Sequence, residues 1–131
     1  PAKHPEHAWK VVREAETAGP GLFLKTHPKS ENVWTDATFA KDGNTNQTIC
    51  VFKKKDFDAD PTCFSATEHG KIVHFEYNKA GDEVWASVWD RKGALIVYDD
   101  KTLKEKARIE ADWMVTPTGK WNVYNTVHDV Y

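Results

Sequence analysis

Two stretches of this 131-residue chain repeat one another at a period near 50 residues. In the second copy, Ile72–Tyr77, Val84–Trp89, Ala94–Tyr98 and Leu103–Glu110 read as four short strands. Their β-branched and aromatic residues are separated by Gly-, Asp- and Asn-bearing turns. The last of the four is polar, and its run Lys104–Arg108 contains good helix formers. It lacks both an apolar 3.6-residue period and a closing Gly. In the first copy Leu22–Lys25, Val33–Ala37 and Ile49–Phe52 repeat the order. The Val-Trp pairs at 33/34 and 84/85 are 51 residues apart, and the third strands at Ile49 and Leu95 are 46 apart. A longer loop, Lys41–Thr48, accounts for the difference.

A four-stranded unit at this period is the mark of a β-propeller blade. A blade buries both faces only between neighbours, and a ring takes roughly four to eight of them. The chain holds fewer than three. Ala8–Glu16 reads as the outer strand of a preceding blade, and Val115–Tyr131 as the inner strand of a following one. The fold class expected is therefore all-β, with residues 1–131 forming the C-terminal segment of a larger propeller domain. That segment holds about two full blades and a partial blade at each end. The competing architecture is a small independent β-sandwich.

Composition narrows the function. With 18 basic and 20 acidic side chains the formal charge is −2, too little positive field for a nucleic-acid binder. No apolar run approaches the ~18 residues of a membrane span. Six Trp, six Phe and four Tyr supply the surface for a packed core. The chain opens on Pro1, which reads as a processed or cut end. Cys50 and Cys63 match no CxxC, CxxCH or zinc spacing. Cys50, in the run Ile49–Phe52, reads as a buried inert thiol, with a disulfide to Cys63 the lesser alternative.

The tail carries the most distinctive motif. In Thr116-Pro117-Thr118-Gly119-Lys120-Trp121, Pro117 fixes one backbone angle and Gly119 admits close approach of a ligand. Thr118 offers a hydroxyl, Lys120 a cation and Trp121 a flat apolar face. Such a turn at a propeller mouth suits the edge of a planar anionic cofactor. From spacing alone, an ordinary turn with a core Trp is the simpler reading.

The tail "TPTGKWNVYNTVHDVY" resembles the C-terminus of cytochrome cd1 nitrite reductases, where Phe is commoner at the Trp121 position. "GLFLKTHPKSENVWTDAT", "FEYNKAGDEVWASVWD" and "LIVYDDKTLKEK" match the same family in order, so the resemblance runs from about Ala8 to Tyr131. It implies the last blades of an eight-bladed, haem d1-binding propeller. Carried over residue by residue, Thr118 and Gly119 match a turn that hydrogen-bonds the haem d1 periphery. Trp121 and Phe23 match aromatics of the pocket wall. His74 matches an inner-strand position facing the cofactor, where Gln is frequent in the family.

The resemblance further implies periplasmic reduction of nitrite to nitric oxide in denitrification. A haem c in an N-terminal domain outside this segment would admit electrons. A c-type cytochrome or cupredoxin would donate them, and the intact protein would be a homodimer. The family's catalytic histidines and iron ligand lie upstream, so no catalytic residue and no metal ligand is assigned here, and the segment alone is expected to be inactive. Two other classes stay open: a haem d1 biosynthesis or carrier protein of dehydrogenase type, and a cofactor-free propeller interaction module.

The other polar residues have simpler readings. His4 and His7 form HxxH, a weak metal motif in a solvated loop. His27 reads as a structural turn residue, and His69 and His128 as surface. Lys53-Lys54-Lys55 reads as a solvated loop, Asp99/Asp100 and Asp129 as turn and surface, and Trp34, Trp85 and Trp89 as interblade core.

Overall fold

A computed structural model describes residues 3–114, 121 and 123. Eight strands form two four-stranded antiparallel sheets, each in simple meander order. The first sheet runs β1 (Leu24–Lys25), β2 (Asn32–Asp36), β3 (Thr48–Lys53) and β4 (Thr62–Ser65). The second runs β5 (Lys71–Tyr77), β6 (Glu83–Trp89), β7 (Ala94–Asp99) and β8 (Glu105–Glu110). The two central strands of each copy lie where the alternation of side chains places them. Within the expected loop 41–48 a single helical turn, α1 (Gly43–Asn46), is capped by Asp42, whose side chain accepts from the Thr45 amide; a carboxylate at this position satisfies an otherwise unpaired N–H.

The sheets pack face to face. Trp34, Ile49 and Val51 of the first meet Phe75, Tyr77, Val84, Ala86, Val88, Ile96 and Tyr98 of the second in one core cluster. Because strand side chains alternate, the intervening residues point the other way. On the far face of the first sheet Val33, Cys50 and Phe52 form a second buried cluster with Phe57. On the far face of the second stand Val73, Trp85, Ser87 and Val97. A two-sheet sandwich would present its outer faces to water, but these faces are apolar or buried, as blades require.

Trp34 and Trp85 occupy equivalent places. Trp34 lies between Lys25 and Val51 in register, Trp85 between Glu76 and Val97. Each meets an aromatic of the repeat that follows it in sequence: Trp34 meets Phe75 at 6.3 Å between ring centroids, and Trp85 meets Trp121 at 6.4 Å. The strand expected over 115–131 lies, apart from residues 121 and 123, outside the described residues.

The structure corrects several readings. Cys50 and Cys63 form a disulfide with a Cα separation of 4.1 Å, because the β3–β4 register sets them directly opposite each other. Asp100 is buried, where the sequence suggests surface. It accepts from Trp34 Nε1 at 2.8 Å, Tyr77 Oη at 2.7 Å and Ser30 Oγ at 2.6 Å. Asp99 does hold the turn, accepting from the Thr102 amide and hydroxyl. Trp89 stands at the end of β6 and is 36% exposed, so it contributes little to the core. Lys53 and Lys54 are engaged: their ammonium groups donate to Asn32 Oδ1 and to the His27 carbonyl. Ala8–Glu16 enters no strand ladder among the described residues, and Trp9, Val11 and Val12 are exposed. A fourth strand needs the third strand of its own blade to pair with, and the described residues contain none for it.

Candidate functional site

The inner strands β1 and β5 are the edge strands of their sheets, and a cleft of about 570 Å³ lies between them. Phe23, Leu24 and Lys25 form one wall and His74, Phe75 and Glu76 the other, with His27, Pro28 and Lys54 at the rim.

His74 is the centre of this region. The β5–β6 register slips between Val73 and Phe75, so His74 is the extra residue of a β-bulge. Its φ of 63° lies in the left-handed region, which costs a non-glycine residue about 1–3 kcal/mol. The cost is offset locally by its backbone N–H, which donates to Asp36 Oδ2 at 3.4 Å. The same Asp36 carboxylate accepts from the amides of Leu22 at 2.7 Å and Phe23 at 3.1 Å. One buried side chain thus fixes both walls of the cleft. Gly21 is required beside it, because a Cβ there would run into the Asp36 carbonyl.

The bulge turns the His74 imidazole between two aromatic rings. Phe23 lies 4.6 Å away and Trp121 5.4 Å, centroid to centroid. Phe23, His74 and Trp121 stand 51 and 47 residues apart, which is the repeat period. Three of the predicted cofactor residues are therefore brought together, at matching positions of successive repeats. Thr118 and Gly119 lie outside the described residues.

His74 Nε2 is 2.9 Å from Glu76 Oε1, and Glu76 Oε2 is 3.3 Å from Lys25 Nζ. Burial pushes the Glu76 carboxyl up, but the bond from His74 and the Lys25 charge outweigh it and hold the group below its ordinary value. Ionised Glu76 can only accept, so the hydrogen on Nε2 belongs to the imidazole. The other ring nitrogen, Nδ1, is buried with no partner among the described residues, as is Trp121 Nε1. His74 itself is only 8% exposed. Buried polar atoms are paired in the great majority of cases, so two orphaned nitrogens on adjoining rings mark a place built for a further hydrogen-bonding group.

Asp36, Glu76 and Lys25 are not evident as site residues in the sequence reading. One signal was present: Lys25 and Glu76 are opposite charges 51 residues apart, at corresponding places in the repeat.

The remaining candidates take no part in the Phe23–His74–Trp121 row. His27, at the rim of the cleft, is buried with its ring tilted against Tyr77 at 5.5 Å between centroids. Gly81, at φ 78°, packs so closely on it that any Cβ would strike the imidazole. His69 is exposed and paired with Asp90 at 2.7 Å. His4, Glu6 and His7 bring their ligand atoms within 4.8 Å of one another on an exposed turn. His128 and Asp129 lie outside the described residues. No described helix is long and apolar enough to cross a membrane.

Comparison with known proteins places this geometry in context. The model of the cytochrome d1 haem domain family matches residues 1–126. A nitrite reductase of Stutzerimonas stutzeri is 44% identical over 143 aligned positions, covering 99% of this chain and 26% of that protein. A dihydro-haem d1 dehydrogenase of Pseudomonas aeruginosa is 37% identical over 120 positions, covering 91% and 23%. The solved structure of the dihydro-haem d1 dehydrogenase NirN in complex with DHE superposes with a TM-score of 0.69 at 32% identity, over 78% of this chain and 21% of that one. The chain spans about a quarter of the length of these curated relatives.

Proposed function

The chain belongs to the cytochrome d1 haem domain family, and from that premise we propose that it forms part of the haem d1 pocket of a periplasmic nitrite reductase. It is all-β and a portion of a larger propeller. The observation that carries the reading is the row Phe23–His74–Trp121, in ring contact and bearing two buried, unpartnered nitrogens. These residues fit a planar, partly polar macrocycle: flat rings for its face or edge, the Trp121 indole N–H to donate to a peripheral oxygen, and His74 Nδ1 to accept from a donor at its edge.

When bound, haem d1 would supply the iron chemistry for a one-electron, two-proton reduction of nitrite to nitric oxide and water. This chain's residues do the positioning. Phe23 and Trp121 exclude water and fix the plane. Glu76 and Lys25 hold the imidazole of His74 with its proton on Nε2, leaving Nδ1 to accept a hydrogen bond. Thr118 and Gly119 are proposed to bond the cofactor edge. Residues 1–131 are proposed as about two blades with a partial blade at each end, supplying no catalytic residue. Haem c in a further domain, a small c-type cytochrome or cupredoxin as donor, and a homodimeric assembly complete the proposal. The Cys50–Cys63 disulfide supports an oxidising compartment such as the bacterial periplasm.

A second reading, a dehydrogenase acting on the cofactor itself, is favoured by His74, where reductases frequently carry Gln. Spectra and turnover of the full-length protein decide between them. Haem d1 bands with nitric oxide release from nitrite support the reductase. Conversion of a dihydro-haem d1 without nitrite turnover supports the dehydrogenase. No haem uptake overturns both.

A further inference from the structure

Trp85 and Ser87 carry buried polar atoms, Nε1 and Oγ, with no hydrogen-bond partner among the described residues. Both lie on β6 and alternate with Val84, Ala86 and Val88, which face the first sheet. They therefore project from the opposite face of the second sheet. Buried indole N–H groups are paired in the great majority of cases, so this face is built to receive something that accepts a hydrogen bond.

The first sheet shows what that is. Trp34 holds in β2 the register that Trp85 holds in β6. Its indole N–H is met by Oδ1 of Asp100, a residue of the turn between the third and fourth strands of the next unit. The same carboxylate takes the hydroxyl of Tyr77, from that unit's inner strand. The sequence repeats this pattern: Tyr124 follows Trp121 by three residues, as Tyr77 follows His74. Asp129 is not the missing acceptor by register. It stands eight residues after Trp121, as Asp82 stands after His74.

We infer that the Trp85 face of the second sheet is the docking surface for a further blade whose third-to-fourth-strand turn places an aspartate on Trp85 Nε1. From Trp34 to Asp100 is 66 residues. The same step from Trp85 leads past residue 131, so the aspartate comes from a segment outside residues 1–131. The clamp does not depend on the cofactor, and its test reads stability and exchange without reference to haem.

The experiment uses the full-length protein. Trp34→Phe and Trp85→Phe each keep an aromatic ring and remove the donor. Both are expected to lower the urea midpoint by similar amounts. Asn replaces the acidic residue that stands in the adjoining blade at the register of Asp100. Combined with Trp85→Phe, it is expected to add little beyond either change alone, the non-additivity of a direct pair. A neutral Trp85→Phe, or fully additive losses, overturns the inference. Where a variant fails to fold, exchange of the Trp85 indole hydrogen in the unmodified protein decides. Protection matching that of Trp34 supports the clamp, and exchange at the rate of an exposed indole overturns it.

Discussion

The indole N–H of Trp34 donates to Oδ1 of Asp100 at 2.8 Å, tying the first sheet to the second across 66 residues. Asp100 also accepts from the hydroxyls of Tyr77 and Ser30, and its own backbone carbonyl accepts from Asn32 Nδ2. Burial first, then the Asp100 hydrogen bond and charge, push the Tyr77 phenol well above its ordinary range, against the downward pull of the bond to Ser30.

Asp100→Ala leaves the Trp34 indole without its acceptor and takes one bond each from the Tyr77 and Ser30 hydroxyls, which keep Ser30 Oγ at 3.1 Å and the Asn32 carbonyl at 3.4 Å. At about 1–3 kcal/mol for the unsatisfied indole and about 1 kcal/mol for each hydrogen bond lost, the loss is expected to be about 3 kcal/mol. Urea unfolding of the full-length protein measures it. A loss under about 0.5 kcal/mol, the size of an ordinary surface change, would refute the hub.

The disulfide closes a loop with a sequence separation of 13 residues. Chain-entropy reasoning assigns a loop of that size about 3 kcal/mol. The Cys50→Ala/Cys63→Ala variant is expected to lose on that order, and the unmodified protein to lose the same under reductant. Equal urea midpoints with and without reductant would show that the bond does not constrain the unfolded chain.

Central strands were legible because their information is local. Val84–Trp89 and Ala94–Tyr98 alternate cleanly, and Gly- and Asp-rich turns bound them. β1 is shorter than its apolar residues suggest, because the amides of Leu22 and Phe23 go to the Asp36 carboxylate instead of a ladder. The disulfide and the Asp100 hub depend on cross-strand register and on packing between repeats, neither of which spacing along the chain reveals. In the site, Phe23, His74 and Trp121 followed from the family resemblance. Asp36 and Glu76 escaped it because acidic residues in strands read as solvent-facing, while here Asp36 is buried against the amides of Leu22, Phe23 and His74, and Glu76 is paired with His74 and Lys25.

Glu76 ties acid stability to this bulge. Its carboxyl is held below the ordinary value by His74 and Lys25, against the upward push of burial. A carboxyl whose folded pKa is depressed contributes stability above its unfolded value and loses it as pH falls through the folded one. The urea midpoint is therefore expected to decline below about pH 4.5, and Glu76→Gln to flatten that part of the decline. An identical slope in the variant would detach Glu76 from the acid transition.

Asp36 and Ser87 stand at the same place in the two repeats, two residues beyond Trp34 and Trp85. Asp36 receives the amides that set Phe23 and His74, whereas Ser87 Oγ receives no donor among the described residues. Position alone would make the two substitutions alike; hydrogen bonding makes them unequal. Asp36→Ala removes the acceptor that holds His74 at φ 63° and is expected to cost about 2–3 kcal/mol, with Phe23 and His74 both displaced. Ser87→Ala removes a hydroxyl that holds no amide among the described residues and is expected to fall within about 0.5 kcal/mol of the parent. In the full-length protein, Asp36→Ala is also expected to weaken haem d1 uptake followed by its absorption bands, while Ser87→Ala leaves uptake unchanged. Equal effects of the two changes on both measurements would mean that the bulge is held by the surrounding ladder, and that Asp36 does not position the imidazole.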